Sequence, residues 1–176
     1  VYCYYSNGPS RRENLADAFK KAKGDTIVFI DSDLSTDLIH LAELIEYTKK
    51  FEIVTGSRYL PGSIIKRTKY RRTVSSIYNQ FIRLYFGSKI YDHQCGFKAF
   101  KKDKLFLLLD EMGYDKSLRR GWFWDAELLI RAQKNSFLIK EFPIKWKHGD
   151  KSTFNIKREI RMLPYVFLLK FKLGNR

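Results

Sequence analysis

Apolar positions along the chain follow two periods. Short runs rich in β-branched and aromatic residues, such as Val1–Tyr5, Thr26–Ile30, Glu52–Thr55 and Phe97–Phe100, are separated by longer stretches with apolar residues at helical spacing. The first kind predicts buried strands and the second amphipathic helices. The predicted order is strand Val1–Tyr5, helix Arg11–Lys23 with Gly24 as C-cap, strand Thr26–Ile30 and helix Leu38–Lys50 behind an Asp37 N-cap. Strand Glu52–Thr55 then runs into Gly56-Ser57-Arg58-Tyr59, and a basic Pro/Gly loop, Leu60–Lys69, precedes helix Tyr70–Phe86. A turn at Tyr91–Gly96 leads to strand Phe97–Phe100, helix Asp103–Met112, loop Gly113–Gly121, helix Phe123–Lys134 and strand Phe137–Trp146. This βαβαβ rhythm predicts an α/β fold, a mostly parallel sheet flanked by helices. Repeats and low-complexity tracts are absent.

Two segments are strongly two-faced. In helix Tyr70–Phe86, Tyr70, Val74, Ile77, Tyr78, Phe81 and Tyr85 share one side, and Arg71, Ser75 and Asn79 form a row on another. A cation, hydroxyl and amide in one row can grip a phosphate; an ordinary wet helix face has the same spacing. The tail from Asn155 mixes Lys157, Arg158, Arg161, Lys170 and Lys172 with Ile156, Ile160, Met162, Leu163 and Phe171. Pro164 should break it into two short helices. Such a basic amphipathic segment fits an interfacial helix on anionic lipid, and also a helix packed on the core.

Charge narrows the company the protein keeps. In 176 residues, 34 Lys and Arg face 19 Asp and Glu, a formal charge of +15. That excess suits nucleic acid, an anionic membrane or phosphorylated substrates. A hydrophobic share of 44% and a length near one domain exclude disorder. Cys3 and Cys95 are too few for a disulfide framework or a cysteine zinc site; free, reduced thiols suit a cytosolic face. No apolar run is long enough to span a bilayer. Val1 is not an initiator Met, and the chain reads as part of something longer.

The chemistry concentrates where Thr26–Ile30 ends in Asp31-Ser32-Asp33. Residues two apart on an extended chain share a face, and the carboxyl ends of strands are where open α/β sheets bind ligands. Two carboxylates there can hold a hard divalent cation completed by substrate phosphates. A solvated Asp turn closing a strand fits the spacing equally well.

Further runs change that balance. They are Ala22-Lys23-Gly24-Asp25, Phe29-Ile30-Asp31-Ser32-Asp33-Leu34, Gly56-Ser57-Arg58-Tyr59, and Tyr70-Arg71-Arg72 with Ser75. They continue with Asp92-His93-Gln94-Cys95-Gly96-Phe97-Lys98-Ala99-Phe100, Trp124-Asp125-Ala126-Glu127-Leu128-Leu129, Phe142-Pro143-Ile144-Lys145-Trp146 and the turn Gly149–Ser152. In this order the chain resembles the inverting GT-A-fold glycosyltransferases of family 2 that load a sugar onto a polyprenyl phosphate, such as dolichyl-phosphate mannose and glucose synthases.

The resemblance implies a GT-A catalytic domain over residues 1–150 and a basic amphipathic membrane-interface segment over 151–176, with interfacial helices at the C-terminus. It implies a nucleotide-sugar donor of the GDP-mannose or UDP-glucose class, a polyprenyl phosphate acceptor, and Mg²⁺ or Mn²⁺ held by Asp31 and Asp33. Arg58, Arg71 and Ser75 match acceptor-phosphate positions, with Lys151 and Ser152 completing that pocket. Arg11, Gln94, Gly96, Asp125 and Glu127 fall on the donor side; Asp31, Asp33 and Arg58 would carry catalysis. The implied location is the cytoplasmic face of a membrane, with no nucleic-acid partner.

Three departures qualify the match. Ser10-Arg11-Arg12 stands where the family has glycine-lysine-glycine, and Lys151-Ser152-Thr153 replaces its serine-lysine. Family members also carry about two more βα units ahead of this point, roughly 60 residues at ~30 per unit, so the isolated chain should bind a nucleotide-sugar poorly or not at all. Rival readings are a haloacid-dehalogenase-type phosphatase, which also opens on a strand ending Asp-x-Asp, a basic nucleic-acid-binding module, and an inactive relative. The phosphatase lacks a late paired-Asp motif here, and the aromatics fall at core spacing rather than along a groove.

Overall fold

The computed structural model describes residues 12–113, 120–147 and 160–174. A four-stranded sheet in the order β1-β4-β2-β5 is built from Thr26–Ile30 (β1), Ile53–Ser57 (β2), Phe97–Lys101 (β4) and Ile139–Pro143 (β5). β2 pairs parallel with β5, and β4 runs antiparallel between β1 and β2. Three of four strands therefore point one way, as the βα rhythm predicts, and the fourth is reversed between them. A second, parallel pair joins β3 (Ile64–Lys66) to β6 (Lys145–Lys147).

Strand alternation creates the two cores. Ile27 and Phe29 face one side with Phe19, Phe100, Leu105, Leu108, Trp124 and Leu128, beneath α1 (Arg12–Lys20), α4 (Lys102–Met112) and α5 (Phe123–Lys134). Val28 and Ile30 face the other with Leu44, Val54, Phe97, Ala99 and Phe142, beneath α2 (Leu41–Tyr47). A third cluster joins Ile82 and Phe86 of α3 (Lys69–Phe86) to Phe123, Ala126 and Ile130 of α5. It also takes in Tyr165, Val166 and Leu169 of α6 (Leu163–Gly174).

Several elements differ from the sequence pattern. The stretch read as strand Phe137–Trp146 is two strands interrupted at Ile144, because β6 leaves the main sheet to pair with β3, a strand hidden inside the predicted basic loop. Leu38–His40 is a short 3-10 turn ahead of α2, capped by Asp37, whose carboxylate accepts the Ile39 N–H at 3.0 Å. Pro164 sits in the first turn of α6, where its missing N–H costs nothing; Ile160 is helical and a turn at Arg161 and Met162 separates it from α6, the break expected near this proline. Predicted strand Val1–Tyr5 and the two basic loop segments around 114–119 and 148–159 lie outside the described residues.

α3 differs from its predicted orientation. Of its predicted apolar side, Tyr70, Ile77 and Phe81 are exposed and Val74, Tyr78 and Tyr85 half-buried, whereas Ser75 and Asn79 are buried and Ile82 and Phe86 reach the core. The polar row is thus no wet face; it points into the molecule.

α6 is fastened to α5 by a buried charged network. Glu127 accepts hydrogen bonds from Arg131 Nε at 2.8 Å and Tyr165 Oη at 2.8 Å, and forms an ion pair with Arg120 Nε at 3.4 Å. Burial and the adjacent Glu127 charge both hold the Tyr165 phenol protonated, above its usual range. Arg120 also donates to the carbonyls of Met112 and Gly113, closing the C-terminal end of α4. Removing Glu127 would strand two buried guanidinium groups. Glu127→Ala is expected to lower unfolding free energy by about 3–5 kcal/mol in a urea titration; a loss under about 1 kcal/mol, the worth of a surface pair, would contradict the network's role.

Candidate active site

β1 ends at Ile30, so Asp31 and Asp33 follow at its carboxyl end. The Asp31 N–H donates to Gly96 O at 2.8 Å, extending the β1–β4 pairing by one residue. The Asp31 carboxylate lies against the Gly96 Cα, so that any Cβ at position 96 would overlap it. Glycine is needed there for close approach rather than for backbone torsion. The chain turns sharply through Ser32 and Asp33 into Leu34. Leu34 takes a left-handed φ of 48°, and its N–H donates to Asp31 O at 3.0 Å. The Ser35 N–H donates to Asp33 Oδ1 at 3.0 Å. A branched residue in this region is strained, and these bonds hold it.

Past Asp33 the chain lies along β6. Lys147 N–H donates to Ser35 O at 2.8 Å, Asp37 N–H donates to Lys145 O at 3.0 Å, and Thr36 bridges Trp146. On its other side β6 pairs with β3, Ile65 opposite Trp146. Adjacent strands lie about 4.8 Å apart, so Thr36 and Ile65 stand about 10 Å apart across Trp146. The acid turn and the arginines beyond β3 are thereby clasped on opposite sides of one strand.

Arg58 follows β2 and is bound to Asp92 three times. Its Nε and Nη2 donate to the two carboxylate oxygens at 2.7 and 2.8 Å, and its backbone N–H adds a third bond at 2.9 Å. Asp92 is fully buried and the Arg58 side chain nearly so. Burial alone would disfavour both charges, but each partner outweighs it: Asp92 holds the guanidinium protonated, and Arg58 holds the carboxyl below its usual range. Breaking such a pair leaves an uncompensated buried charge, a cost of about 3–5 kcal/mol.

The predicted phosphate row has a different internal order. Ser75 Oγ donates to Arg71 O at 2.8 Å and accepts from Tyr59 Oη at 2.6 Å and Arg67 Nη1 at 2.8 Å. Its hydroxyl thus organises Arg67 and Tyr59. Arg67 lies 5.4 Å and Arg58 5.5 Å from the Trp146 ring centre. Arg71 is half-buried on the first turn of α3. Asn79 does not reach outward: its Oδ1 accepts from the His93 backbone N–H at 2.9 Å and lies 2.9 Å from His93 Nδ1.

The turn 91–96 joins these parts. The Tyr91 and Asp92 N–H groups donate to the Glu141 carboxylate at 2.7 and 2.9 Å, while burial raises the Glu141 carboxyl above its usual range. His93 Nε2 lies 2.8 Å from Ser88 Oγ. Because Asn79 Oδ1 can only accept, His93 carries its proton on Nδ1 and receives one from Ser88. Burial pulls the His93 pKa down to about 4, Asp92 opposing and Lys98 and Arg83 assisting. The Gln94 backbone N–H donates to Asp92 at 3.3 Å. Burial pushes the Cys95 thiol up to about 12, so it is inert.

Asp125 and Glu127 diverge. Asp125 lies 3.4 Å from Lys98 Nζ, which also donates to Cys95 O beneath Gly96. Glu127, two residues on and on the opposite helix face, serves the α6 network. Asp92 is the residue that orders Arg58. Arg11, Lys151 and Ser152 lie outside the described residues.

Two carboxylates, Asp31 and Asp33, can supply part of the shell of a hard divalent cation, with water and substrate oxygens supplying the rest. Among the described residues, no group of three or more His, Cys, Asp or Glu could form a protein-only site. Two carboxylates on a tight turn, one seated on a glycine, fit Mg²⁺ or Mn²⁺ shared with phosphates.

Asp92, His93, Lys98 and Trp146 fall in the matched runs without a role of their own there, and Glu141 and Arg67 fall in none of them. The available signal was polarity in the wrong place: Lys98 inside the apolar strand Phe97–Phe100, and Asp92 and His93 in a turn ahead of it.

His93 gives the fold a pH signature. Between its ordinary value of 6.5 and about 4, the unfolded chain binds a proton that the folded chain refuses. Stability from this group is therefore complete above 6.5 and lost as pH falls toward 4, up to about 3 kcal/mol. Thermal melts at stepped pH should fall through this window for the parent and fall less for His93→Gln; equal slopes would contradict the assignment.

Comparison with known proteins bears on the family and the fold. Residues 7–106 match the model of glycosyl transferase family 2. Glycosyltransferase AglD of Haloferax volcanii is 39% identical over 148 residues, 83% of this chain and 23% of that protein. Dolichyl-phosphate beta-glucosyltransferase of Saccharomyces cerevisiae is 24% identical, covering 98% of this chain and 57% of its own length. Polyprenol monophosphomannose synthase of Mycolicibacterium smegmatis is 28% identical over 120 residues, 67% of this chain and 44% of that protein. The chain thus spans between about a quarter and three fifths of these relatives. Glucosyl-3-phosphoglycerate synthase of Mycobacterium tuberculosis, solved with UDP, shares the fold with a TM-score of 0.60 at 18% identity, over 94% of this chain and 55% of that one. The motifs, the fold and the matched residues together assign the chain to glycosyl transferase family 2.

Proposed function

We propose that the protein containing this chain transfers a hexose from a nucleotide diphosphate sugar, of the GDP-mannose or UDP-glucose class, to a polyprenyl phosphate with inversion. The observation that carries this reading is the clasp across β6: paired carboxylates on one side, a cluster of arginines on the other. A reaction between two anions needs both. The printed functions of the dolichyl-phosphate and polyprenol relatives support the acceptor class.

In this scheme an oxygen of the ionised acceptor phosphate attacks the anomeric carbon as the bond from that carbon to the diphosphate breaks on the opposite face. No proton must be removed from the nucleophile, so no strong general base is required. Asp31 and Asp33 would hold Mg²⁺ or Mn²⁺, which supplies charge neutralisation for the leaving diphosphate. A structure of the Mycobacterium tuberculosis synthase containing Mn²⁺ and UDP supports that choice by fold analogy. The arginine cluster lowers repulsion between acceptor and donor. Gln94 and Gly96 border the donor side. Arg11 would meet the donor, and Lys151 and Ser152 the acceptor.

The lipid acceptor implies a membrane surface, and the exposed faces of α3 and α6 supply one. Ile77, Phe81 and Leu84 project from α3, Phe167 and Phe171 from α6, and Tyr85 packs between Phe81 and Phe167. Lys170 lies over Tyr85. Apolar side chains rimmed by cations suit the interface of an anionic leaflet, here the cytoplasmic one. No described helix is long and apolar enough to cross a membrane.

With the full-length protein, Asp33→Asn is expected to abolish transfer to a polyprenyl phosphate, as is a chelator with the parent; undiminished transfer in either case refutes the metal assignment. For the membrane face, Leu84→Glu with Phe171→Glu should weaken co-sedimentation with phosphatidylserine vesicles, leaving neutral vesicles unaffected. Unchanged co-sedimentation would remove that face from the account.

A further inference from the structure

We infer that Lys98 is a positioning residue for the metal-bearing turn, acting on Asp31 through the backbone of Gly96; this rests on the metal reading above. The β1–β4 register sets Phe29 opposite Lys98, and the bond from Asp31 N–H to Gly96 O carries the same ladder past Ile30. Residues two apart on a strand share a face. Phe29, Asp31 and Lys98 therefore stand on the side that packs with Trp124 and Leu128 of α5. Gly96 contributes no side chain there, and the Asp31 carboxylate fills the position its Cβ would take.

Lys98 is buried, and its ammonium is where three elements meet. Nζ donates to Cys95 O, the carbonyl of the peptide that joins Cys95 to Gly96. It lies 3.4 Å from Asp125 Oδ1, in the first turn of α5, and 5.8 Å from the centre of the Phe29 ring of β1. Gly96 is two residues away, about 7 Å along the strand, a span the four-carbon lysine stem can follow. The side chain thus runs beneath Gly96 and grips the peptide on which Asp31 rests.

Stability alone does not explain a charge in this place. Taking the ammonium and the carboxylate out of water offsets most of their attraction, and an apolar pair of similar volume often serves a core as well or better. What an apolar side chain cannot do is hold a carbonyl and a carboxylate at once. With Cys95 O fixed, the planar peptide at Gly96 is fixed too, and with it the surface against which Asp31 is aimed. Glycine has the widest choice of torsions, so a restraint from outside matters most at this residue. Groups that orient a metal ligand without touching the metal set its affinity. Asp33 is oriented differently, within its own turn, through the Ser35 N–H. Lys98 therefore acts on one of the two acids.

The test uses the full-length protein with UDP or GDP and reads bound Mn²⁺ by electron paramagnetic resonance. Lys98→Met is expected to weaken Mn²⁺ binding by about 10–100-fold and to alter the line shape of the bound ion. It should also raise the Mn²⁺ requirement for transfer with the acceptor KM unchanged. A merely structural role would lower the folded fraction, seen by circular dichroism, and leave the Mn²⁺ affinity of the folded remainder at the parent's value; that result overturns the inference. Asp33→Asn is the control for the metal itself. If Asp33→Asn loses Mn²⁺ and Lys98→Met binds it as the parent does, the inference fails and the metal reading stands. Parent-like binding by both variants, or no binding by the parent with either nucleotide, overturns both. Should Lys98→Met fail to fold for want of a charge to balance Asp125, its combination with Asp125→Asn removes both charges and decides. Weakened Mn²⁺ binding by that double variant supports the inference, and parent-like binding overturns it.

Discussion

The buried ion pair between Arg58 and Asp92 is the contact on which the rest of the candidate site depends. It fixes the start of the turn 91–96, and that turn touches every other component. His93 grips Asn79 of the arginine-bearing helix, Glu141 of the outer strand holds the Tyr91 and Asp92 amides, and Gly96 receives Asp31. A charge pair in this position is poor value as stability alone, since its desolvation offsets most of its attraction. Its use is geometric. Three bonds to one carboxylate leave Arg58 a single orientation, and the turn inherits it.

How far this was legible from the sequence depends on the kind of pattern. Asp31 and Asp33 stand at the end of an apolar run, and local alternation is enough to place them on a strand end. The α5 boundaries and the βα order follow from periodicity in the same way. The inward turn of Ser75 and Asn79 on α3 was hidden because helical spacing does not tell which row of a helix is inward; they are buried because His93, Tyr59 and Arg67 supply their hydrogen bonds. β3 and the break in Phe137–Trp146 escaped notice because both arise from a non-local pairing between segments about 80 residues apart.

α5 carries a consequence for how lipid and sugar chemistry could be joined. One face meets Lys98 through Asp125, beneath the turn that seats Asp31; the other meets Tyr165 of α6 through Glu127. The proposed membrane-facing helix and the proposed metal site therefore share a rigid element. A lipid phosphate arriving at the surface of α3 and α6 would need little rearrangement to reach the arginines, because those helices already pack against the same core cluster. The proposed donor and acceptor sites would then be two sides of one strand, β6, with Trp146 between them.

The central claim is that these two sides serve two anions in one transfer. The most direct measurement gives the full-length protein labelled nucleotide-sugars and a short polyprenyl phosphate, with and without chelator, and reads the lipid product and its anomeric configuration. The account predicts one hexose on the lipid phosphate, of configuration opposite to the donor's, formed only when divalent cation is present. Release of inorganic phosphate from a general phosphomonoester, with no sugar on the lipid, would contradict it.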